Sequence, residues 1–147
     1  YSTLYGDMCG GFSVVKDIYK SDLYRLSEWR NANLPSLSKI NTLDIIPKNI
    51  ILKEPTAELK ADQKDSDSLP PYDILDKILF LLVEKESSIK EIVSQGYDVG
   101  VVTKVQNLLY NSEYKRRQAA PGVKISERNF GYDRRYPITN AFRDREN

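Results

Sequence analysis

The chain has 147 residues, a length typical of one domain, and its 22 basic and 21 acidic side chains leave a net charge of +1. Bulk charge therefore gives no argument for nucleic acid or an anionic membrane as partner. The absence of histidine excludes Ser-His-Asp and Cys-His catalysis and histidine-bearing zinc sites. The single cysteine, Cys9, cannot close an intramolecular disulfide. The longest apolar run, residues 78–83, is far short of the ~20 residues that a membrane-spanning helix needs.

The first sixteen residues predict a strand followed by a glycine-containing turn. Strand-favouring residues come first, at Tyr1, Thr3 and Tyr5, and glycines at positions 6, 10 and 11 then interrupt the pattern. Such a turn brings backbone close either to a ligand or to another strand, and a plain tight turn is the simpler interpretation.

A first amphipathic helix is predicted from about Tyr19 to Ala32, because Leu23, Leu26 and Trp29 recur at helical spacing. Residues 33–71 then carry five of the seven prolines and no long element. The short apolar stretches within them, residues 45–46 and 50–52, can each supply one turn of helix or a brief strand. The almost wholly polar residues 60–68 predict a solvated loop, and a loop of that length inside a domain is often a lid or binding loop.

The second half predicts three packed helices. Pro70 and Pro71 suit the first turn of a helix that ends at about Glu86. Its apolar stripe consists of Ile74, Leu75, Ile78, Leu79, Leu82 and Val83. Ser88 and Glu91 have capping-box spacing for a second, short helix that stops at Gly96.

Asp98 is a plausible N-cap for the third of these helices. One face of that helix carries Val101, Val105, Leu108, Leu109 and Ser112. The tail, residues 118–147, contains prolines, glycines and many arginines with weak periodicity, and we expect it to be extended.

Charge is distributed unevenly along the chain. From Glu113 onward there are nine basic and five acidic residues, a net +4, so residues 1–112 carry −3. Aromatic residues are interleaved with these cations, which is compatible with a phosphate-bearing small molecule, with nucleic acid, with an acidic partner surface, or with packing and solvation. No standard phosphate-loop motif is present, and the carboxylate pairs lack metal-site spacing.

Six segments, in order along nearly the whole chain, resemble the C-terminal part of the NAD synthetase family. They are Tyr-Gly-Asp-Met-Cys-Gly-Gly-Phe at 5–12, Lys16-Asp17 with Lys20, Lys-Glu-Pro-Thr-Ala-Glu-Leu at 53–59, Asp-Ser-Leu-Pro-Pro-Tyr-Asp at 67–73, Glu-Tyr-Lys-Arg-Arg-Gln at 113–118, and Asp-Arg-Arg-Tyr-Pro-Ile at 133–138. The Met-Cys-Gly-Gly form, Leu-Pro-Pro-Tyr and the long arginine-rich tail are similar to the glutamine-dependent branch. In the ammonia-dependent branch a histidine occupies the position of Tyr114.

The resemblance implies a ligase that amidates deamido-NAD. ATP adenylates the nicotinate carboxylate, pyrophosphate leaves, and ammonia derived from glutamine attacks the acyl-adenylate. By position in the family motifs, Lys20 and Thr56 are expected to contact ATP, although a solvated first-turn lysine is the simpler interpretation of Lys20 on its own. Lys115, with Tyr114 beside it, is expected to contact deamido-NAD, and Tyr1 to stack near its pyridine. No residue of this chain is expected to be catalytic or to bind metal.

The implied fold is α/β, an adenine nucleotide α-hydrolase-like (Rossmann-like) domain of which this chain is the mainly helical C-terminal part. We expect residues 1–59 to end the nucleotide-binding core, 60–71 to form the lid-like loop, 72–117 the helical bundle and 118–147 the extended basic tail. The segment from Asp62 to Ser68 resembles one that orders over bound substrate. A lysine of the ammonia-dependent branch is replaced by Leu4, so its substrate contact is not carried over.

The family's pyrophosphate loop, its Mg²⁺ ligands and its glutaminase catalytic residues are expected upstream of Tyr1, and Cys9 lies in the wrong motif to be the glutaminase nucleophile. The chain is therefore expected to be a piece of a longer cytoplasmic enzyme, inactive alone, with a glutaminase domain, a tendency to form homo-oligomers and no membrane partner. The alternative is a non-catalytic binding or structural relative whose basic tail holds a phosphate-bearing ligand or RNA.

Overall fold

The computed structural model describes residues 5–6, 8–56 and 64–145, and the regular structure within these ranges is helical. Its α-helices are α1 Lys20–Ala32, α2 Lys48–Leu52, α3 Tyr72–Val83, α4 Ile89–Ser94, α5 Val99–Asn111 and α6 Glu113–Gln118, with a 3-10 helix at Asp65–Asp67. No strand forms in the described ranges, where two isolated bridges join Ser13 to Gly122 and Thr56 to Lys64. The predicted strand residues Tyr1 and Thr3 lie outside these ranges, and Tyr5 lies in a turn instead.

The chain divides into two units. The larger unit combines Tyr1–Ile18 with Leu69–Asn147, and the smaller unit is Tyr19–Ser68.

In the smaller unit, α1 has the bounds that its apolar spacing predicts. Asp22 in the first turn and Arg30 in the last complement the helix dipole, and the helix ends before the extended residue Asn33. Arg30 also donates to the carbonyl of Thr42 at 3.2 Å. The side-chain amide of Asn31 exchanges two hydrogen bonds with the backbone of Ile46, at 2.8 and 2.9 Å. The irregular segment after α1 is therefore tied back onto that helix.

Helix α2 realises one of the two possibilities for residues 50–52, a single turn of helix rather than a strand. Residues 45–46 form neither. No described residue of the smaller unit is buried, and even Leu26 and Trp29 of α1 are about half exposed.

The core lies in the larger unit, where α5 contacts α3, α4 and α6. Its buried side chains come from α3, α4, α5 and the tail: Leu75, Ile78, Leu82, Val83, Ile89, Ile92, Val102, Val105, Leu109 and Tyr136. Removal of this apolar surface from water is the main stabilising contribution. The predicted small helical bundle is thus confirmed.

Local capping signals in this bundle are also confirmed. The Ser88 side chain accepts from the backbone of Glu91, and the Glu91 carboxylate accepts from the backbone N–H of Ser88 at 2.7 Å. Gly96, with φ of 95°, follows the end of α4, a conformation that an L side chain rarely adopts. The carboxylate of Asp98 accepts the backbone N–H of Val101 at 2.9 Å and caps α5.

Two helix details differ from expectation. Helix α3 ends at Val83 rather than at about Glu86, whose left-handed φ of 52° is incompatible with a continued helix. On α5 the buried face is Val102, Val105, Gln106 and Leu109, whereas Leu108, predicted to be on the inner face, is 45% exposed. The buried face of α5 is therefore rotated from the predicted one. It includes Gln106, a polar residue that the apolar pattern does not predict to be buried.

Beyond Gln118, the last residue of α6, the described residues of the tail contain no helix, as expected, but the tail is folded rather than simply extended. The Asn129 side chain accepts the backbone N–H groups of Gly131 and Tyr132 and closes a turn. Tyr136 is buried in the core, its ring 4.2 Å from the ring of Tyr110. The tail is therefore part of the larger unit's packing.

Candidate functional site

Lys20 is the first residue of α1, and its ammonium lies 5.6 Å from the centroid of the Tyr24 ring. This distance is within the range of a cation–π contact. Burial raises the pKa of Tyr24, and the charge of Asp65 raises it further. Tyr24, on the side of α1 that carries Lys20, therefore lies near Asp65 of the 3-10 helix within the polar loop.

Thr56 lies on a turn that is tied to the same loop. Glu54 accepts a hydrogen bond from the hydroxyl of Ser66 at 2.6 Å and pairs with the ammonium of Lys64 at 2.9 Å. These two contacts hold the pKa of the Glu54 carboxyl below its ordinary value. Thr56 itself is exposed and forms a bridge with Lys64.

One further bond closes the connection between the two predicted ATP ligands. The backbone N–H of Asp65 donates to the carbonyl of Pro55, the residue before Thr56, at 3.2 Å. The contact of Lys20 with the Tyr24 ring, the electrostatic influence of Asp65 on Tyr24 and the bond from Asp65 to Pro55 therefore connect Lys20 with the turn that carries Thr56. Sequence reasoning found both ends of this chain of contacts but not Tyr24 or Asp65, because nothing local marks them as neighbours.

The predicted deamido-NAD residues lie on α6 in the larger unit. This short helix is anchored by Glu113, which is buried although it is charged. Its carboxylate pairs with Arg116 at 2.8 Å and with Arg117 at 3.2 Å. A terminal nitrogen of Arg116 also donates a hydrogen bond to the carbonyl of Leu109, in the last turn of α5. The helix is therefore fixed to α5 through its charged side chains.

Lys115 and Tyr114 occupy the α6 positions between these anchors. Tyr114 is 41% exposed, and Lys115 is half-buried. The sequence did not assign a role to Glu113 or Arg116. A glutamate followed at i+3 and i+4 by two arginines was the available signal for an ion-paired helix. Tyr1 lies outside the described residues, so its expected contact has no structural description.

Cations of the tail are largely engaged inside the larger unit. Arg128 and Arg134 pair with Glu86, and Lys124 pairs with Asp133 at 2.7 Å. Arg143 lies over the ring of Tyr110, 4.8 Å from its centroid, and donates to two asparagine side chains of α5. These pairings favour the packing interpretation of the basic tail.

Within the described part of the chain, no group of three or more carboxylate or thiol side chains is arranged to hold a metal ion. None of the helices formed by these residues has the length and apolarity to cross a membrane.

Comparisons with known proteins give the family. The family described as NAD synthase matches residues 1–119. The glutamine-dependent NAD(+) synthetase of Xylella fastidiosa (strain Temecula1) is 51% identical over 97% of this chain and 25% of its own length. That of Thermotoga maritima is 50% identical over 98% of this chain and 24% of its own.

A solved structure of the glutamine-dependent NAD+ synthetase from Acinetobacter baumannii, in complex with adenosine diphosphate, is 41% identical. It matches over 95% of this chain and 23% of the other, with a TM-score of 0.48. The chain thus spans about a quarter of the length of the curated relatives that it matches. With more than three quarters of its residues matched by one family description, the chain belongs to the NAD synthase family.

Proposed function

We propose that this chain is part of a glutamine-dependent NAD synthetase, in which Lys20 and Thr56 contact ATP and Lys115, with Tyr114 and Tyr1, contacts deamido-NAD. Family membership and the names of the relatives support the reaction. The observation that carries the assignment to residues is the link from Lys20 through Tyr24 and Asp65 to the Pro55–Thr56 turn.

The reaction converts the nicotinate carboxylate into an amide in two steps, with ammonia as the source of the nitrogen. The nicotinate carboxylate of deamido-NAD attacks the α-phosphorus of ATP and pyrophosphate leaves, which gives an acyl-adenylate. Ammonia then adds to the acyl carbon, and adenylate leaves with the bonding pair as the nitrogen loses a proton. Both steps spread negative charge over phosphate oxygens, which cationic donors stabilise when they are already in place.

Lys20 is suited to this role because its ammonium contacts the neutral ring of Tyr24 and forms no ion pair with a carboxylate of the described residues. Thr56 offers a hydroxyl on an exposed turn whose backbone is tied down by Glu54 and Asp65. We further propose that the loop ending at Ser68 acts as a lid over substrate. Its described part, residues 64–68, is tied to the Thr56 turn, so ordering of one orders the other.

Lys115 supplies the second cation, near the pyridine end of deamido-NAD. Glu113 and Arg116 hold the helix that carries it, so Lys115 is positioned before substrate arrives. Bound Mg²⁺ would supply positive charge that offsets the charge of the ATP phosphates during adenylation. The described residues include no group arranged to hold a metal ion, and we propose, from the family resemblance, that the Mg²⁺ ligands lie upstream of Tyr1.

The α/β fold of the adenine nucleotide α-hydrolase type also belongs to the proposal, with this chain as its mainly helical part. So do the four-segment division at residues 59, 71 and 117, the cytoplasmic location, homo-oligomer formation and a glutaminase domain that supplies ammonia. A phosphate- or RNA-binding structural relative is less well supported, because three of the six cations of the tail already pair with Glu86 or Asp133. A fourth, Arg143, lies over the ring of Tyr110.

The test is the reaction itself, with the full polypeptide that carries this chain. Deamido-NAD, ATP, Mg²⁺ and ammonium chloride are expected to give NAD, AMP and pyrophosphate in equal amounts, measured by liquid chromatography and mass spectrometry. Omission of ammonium should leave exchange between ATP and labelled pyrophosphate that depends on deamido-NAD. Absence of both NAD formation and exchange contradicts the proposed function. The 147-residue piece alone should form no NAD.

A further inference from the structure

A cavity of about 300 Å³ lies beside α6, entirely within the larger unit. Its described lining consists of Met8, Cys9, Gly10, Phe12, Ser13, Lys16, Arg116, Ala119, Ala120, Phe130 and Gly131. Two of these residues are cationic and none of them is a carboxylate. The volume is roughly ten times the ~30 Å³ that one water occupies in the liquid, and it falls at the lower end of small-ligand pockets.

Lys16 is held in this cavity by neutral groups. Its ammonium donates to the carbonyl of Ala120 at 2.6 Å and lies 5.4 Å from the centroid of the Tyr132 ring. The side-chain stem lies against two glycines: a Cβ at Gly122 would come within 2.6 Å of Lys16 Cδ, and one at Gly131 within 3.9 Å of Cε. In the described part of the chain, no carboxylate pairs with this lysine. An ammonium has three donors, so Lys16 retains donors for an anion.

Arg116 provides a second cation with a donor to spare. Its terminal nitrogens bond the Glu113 carboxylate, the Leu109 carbonyl and the Ser112 hydroxyl. Its Nε is buried and has no hydrogen-bond partner among the described residues. A buried donor without an acceptor is uncommon in native structures, because desolvation without a new hydrogen bond is unfavourable. An acceptor brought by a ligand would remove that penalty.

The remaining walls are apolar. Phe12, Phe130, Met8 and Ala119 surround the cations, and the guanidinium of Arg116 lies 5.2 Å from the centroid of the Phe130 ring. Phe12 is 60% exposed and leaves room for entry from solvent. The free donors of Lys16 and Arg116 can bond the two oxygens of a carboxylate. The rings of Phe12 and Phe130 can pack against a flat aromatic ring.

We infer that this cavity binds an aromatic monocarboxylate, with Lys16 and Arg116 as the cationic partners of the carboxylate and the two phenylalanines beside the ring. The ligand could be the carboxylated pyridine of deamido-NAD or a separate small aromatic acid. Only the first of these rests on the proposed function, and it would make Lys16 a residue that distinguishes the carboxylate substrate from the amide product.

The experiment is isothermal titration of the full polypeptide with nicotinate, without ATP, with nicotinamide and inorganic phosphate as comparison ligands. Nicotinate is expected to bind, and nicotinamide and phosphate at least tenfold more weakly. Lys16→Met keeps a stem of similar length between the glycines but removes the charge. It should raise the dissociation constant of nicotinate about tenfold or more, as expected for loss of a charge-assisted hydrogen bond. Lys90→Met, at an exposed position on α4, should leave it unchanged.

A second pair of variants keeps Lys16 in place. Ala119→Asp puts a carboxylate in the cavity lining that competes for the two cations, whereas Ala119→Asn has the same shape without the charge. The aspartate variant should abolish nicotinate binding and the asparagine variant should retain more of it, with equal thermal midpoints for the two proteins. Equal affinities for nicotinate in this pair, or unchanged affinity in a folded Lys16→Met protein, overturn the inference.

Competition separates the two sources of the ligand. Deamido-NAD displaces nicotinate if the cavity holds the substrate's own pyridine, and both ligands bind together if the acid is separate. The titration needs no turnover, so failure of nicotinate to bind an enzyme that still makes NAD overturns the inference alone. Binding to a protein without synthetase activity would instead overturn the proposed function alone.

Discussion

The carboxylate of Asp17 accepts both the backbone N–H of Ser126, at 2.9 Å, and the hydroxyl of the same residue, at 2.8 Å, although 109 positions separate the two residues. The same carboxylate also accepts the backbone N–H groups of Ile125 and Phe130, at 2.7 and 3.2 Å. Asp17 is almost fully buried. One side chain near the N-terminus therefore satisfies the backbone of a segment near the C-terminus.

Replacement of Asp17 by Asn should loosen that segment. The Asn amide keeps one acceptor oxygen but presents N–H groups to backbone donors, so buried donors lose their acceptor at a cost of about 1–3 kcal/mol. Backbone amides in residues 122–130 should exchange with deuterium roughly tenfold faster or more, measured by mass spectrometry. The control, Glu127→Gln, removes an exposed carboxylate of the same segment and should have little effect. Unchanged protection in Asp17→Asn would show that other contacts hold the segment.

Asp17 also predicts a dependence on pH. Burial by itself raises the pKa of this carboxyl, but the hydrogen bonds from Ser126, Ile125 and Phe130 outweigh it, and the pKa lies below its ordinary value of 3.8. A depressed pKa means that the stabilisation is complete above about pH 3.8 and is lost as pH falls through the folded-state value. Protection of residues 122–130 should therefore decline below that pH.

The same measurement with Asp17→Asn isolates this group. Asp133 and Glu86 also have lowered pKa values, from hydrogen bonds to Lys124 and to Arg128, so they contribute to the acid response of the wild-type tail. The variant should show a shallower decline than the wild type. Identical pH profiles for the two proteins would contradict the assignment to Asp17.

Gly122 and Gly131 form a matched pair for testing how the Lys16 stem is accommodated. A Cβ at Gly122 would overlap the carbonyl oxygen of Ser13 and approach Lys16 Cδ to 2.6 Å, whereas one at Gly131 meets its nearest atom at 3.8 Å. Gly122→Ala should lower the free energy of unfolding by about 1–3 kcal/mol, as for an overpacked site. Gly131→Ala should stay within about 0.5 kcal/mol. Urea denaturation followed by circular dichroism distinguishes them, and equal midpoints would count against the close packing at Gly122.

The two ion pairs of Glu113, with Arg116 and with Arg117, predict unequal losses of folding stability when they are broken. Glu113→Ala leaves the guanidinium of Arg116, whose side chain is only 11% exposed, without its counterion, at a cost of about 3–5 kcal/mol. Arg117 is 43% exposed, and Arg117→Ala should cost less than about 1 kcal/mol because water screens that pair. Urea midpoints give the comparison. Similar costs for both variants would mean that burial does not separate the two pairs.

The proposed ATP and deamido-NAD contacts predict different kinetic defects in the full polypeptide. Lys20→Ala should slow deamido-NAD-dependent exchange between ATP and labelled pyrophosphate by about 10²-fold or more, the usual effect of losing one preorganised charge donor. Lys115→Ala should raise the KM for deamido-NAD more than the KM for ATP. An exposed lysine, Lys104→Ala, serves as the control. An unchanged exchange rate in Lys20→Ala contradicts its assignment.

Much of the helical structure follows from short-range patterns. The spacing of Leu23, Leu26 and Trp29 predicts α1, and the pair Ser88 and Glu91 predicts the start of α4, because backbone hydrogen bonds and caps connect residues at most four positions apart. The resemblance to NAD synthetase likewise rests on short motifs read in order, and the family match confirms it.

The site residues were predictable only as separate motifs. Lys20 and Thr56 are marked by family position, but their connection depends on Tyr24 and Asp65, which no local pattern relates. The prediction that Leu108 lies on the buried face of α5 was wrong, because this helix has apolar residues on more than one side. Its contacts with the neighbouring helices determine which of them are buried. Long-range geometry decides such choices.

By itself, then, the sequence determined the absence of histidine chemistry in this chain, the family, and the positions of α1, α3, α4 and α5. Only the tertiary structure decided that Glu113 is buried beside Arg116, that Asp17 holds the segment around Ser126, and that the basic tail is engaged within its own unit. The physical reason is that a buried polar group needs a partner with complementary hydrogen-bonding atoms, and that partner is chosen by the fold rather than by distance along the chain.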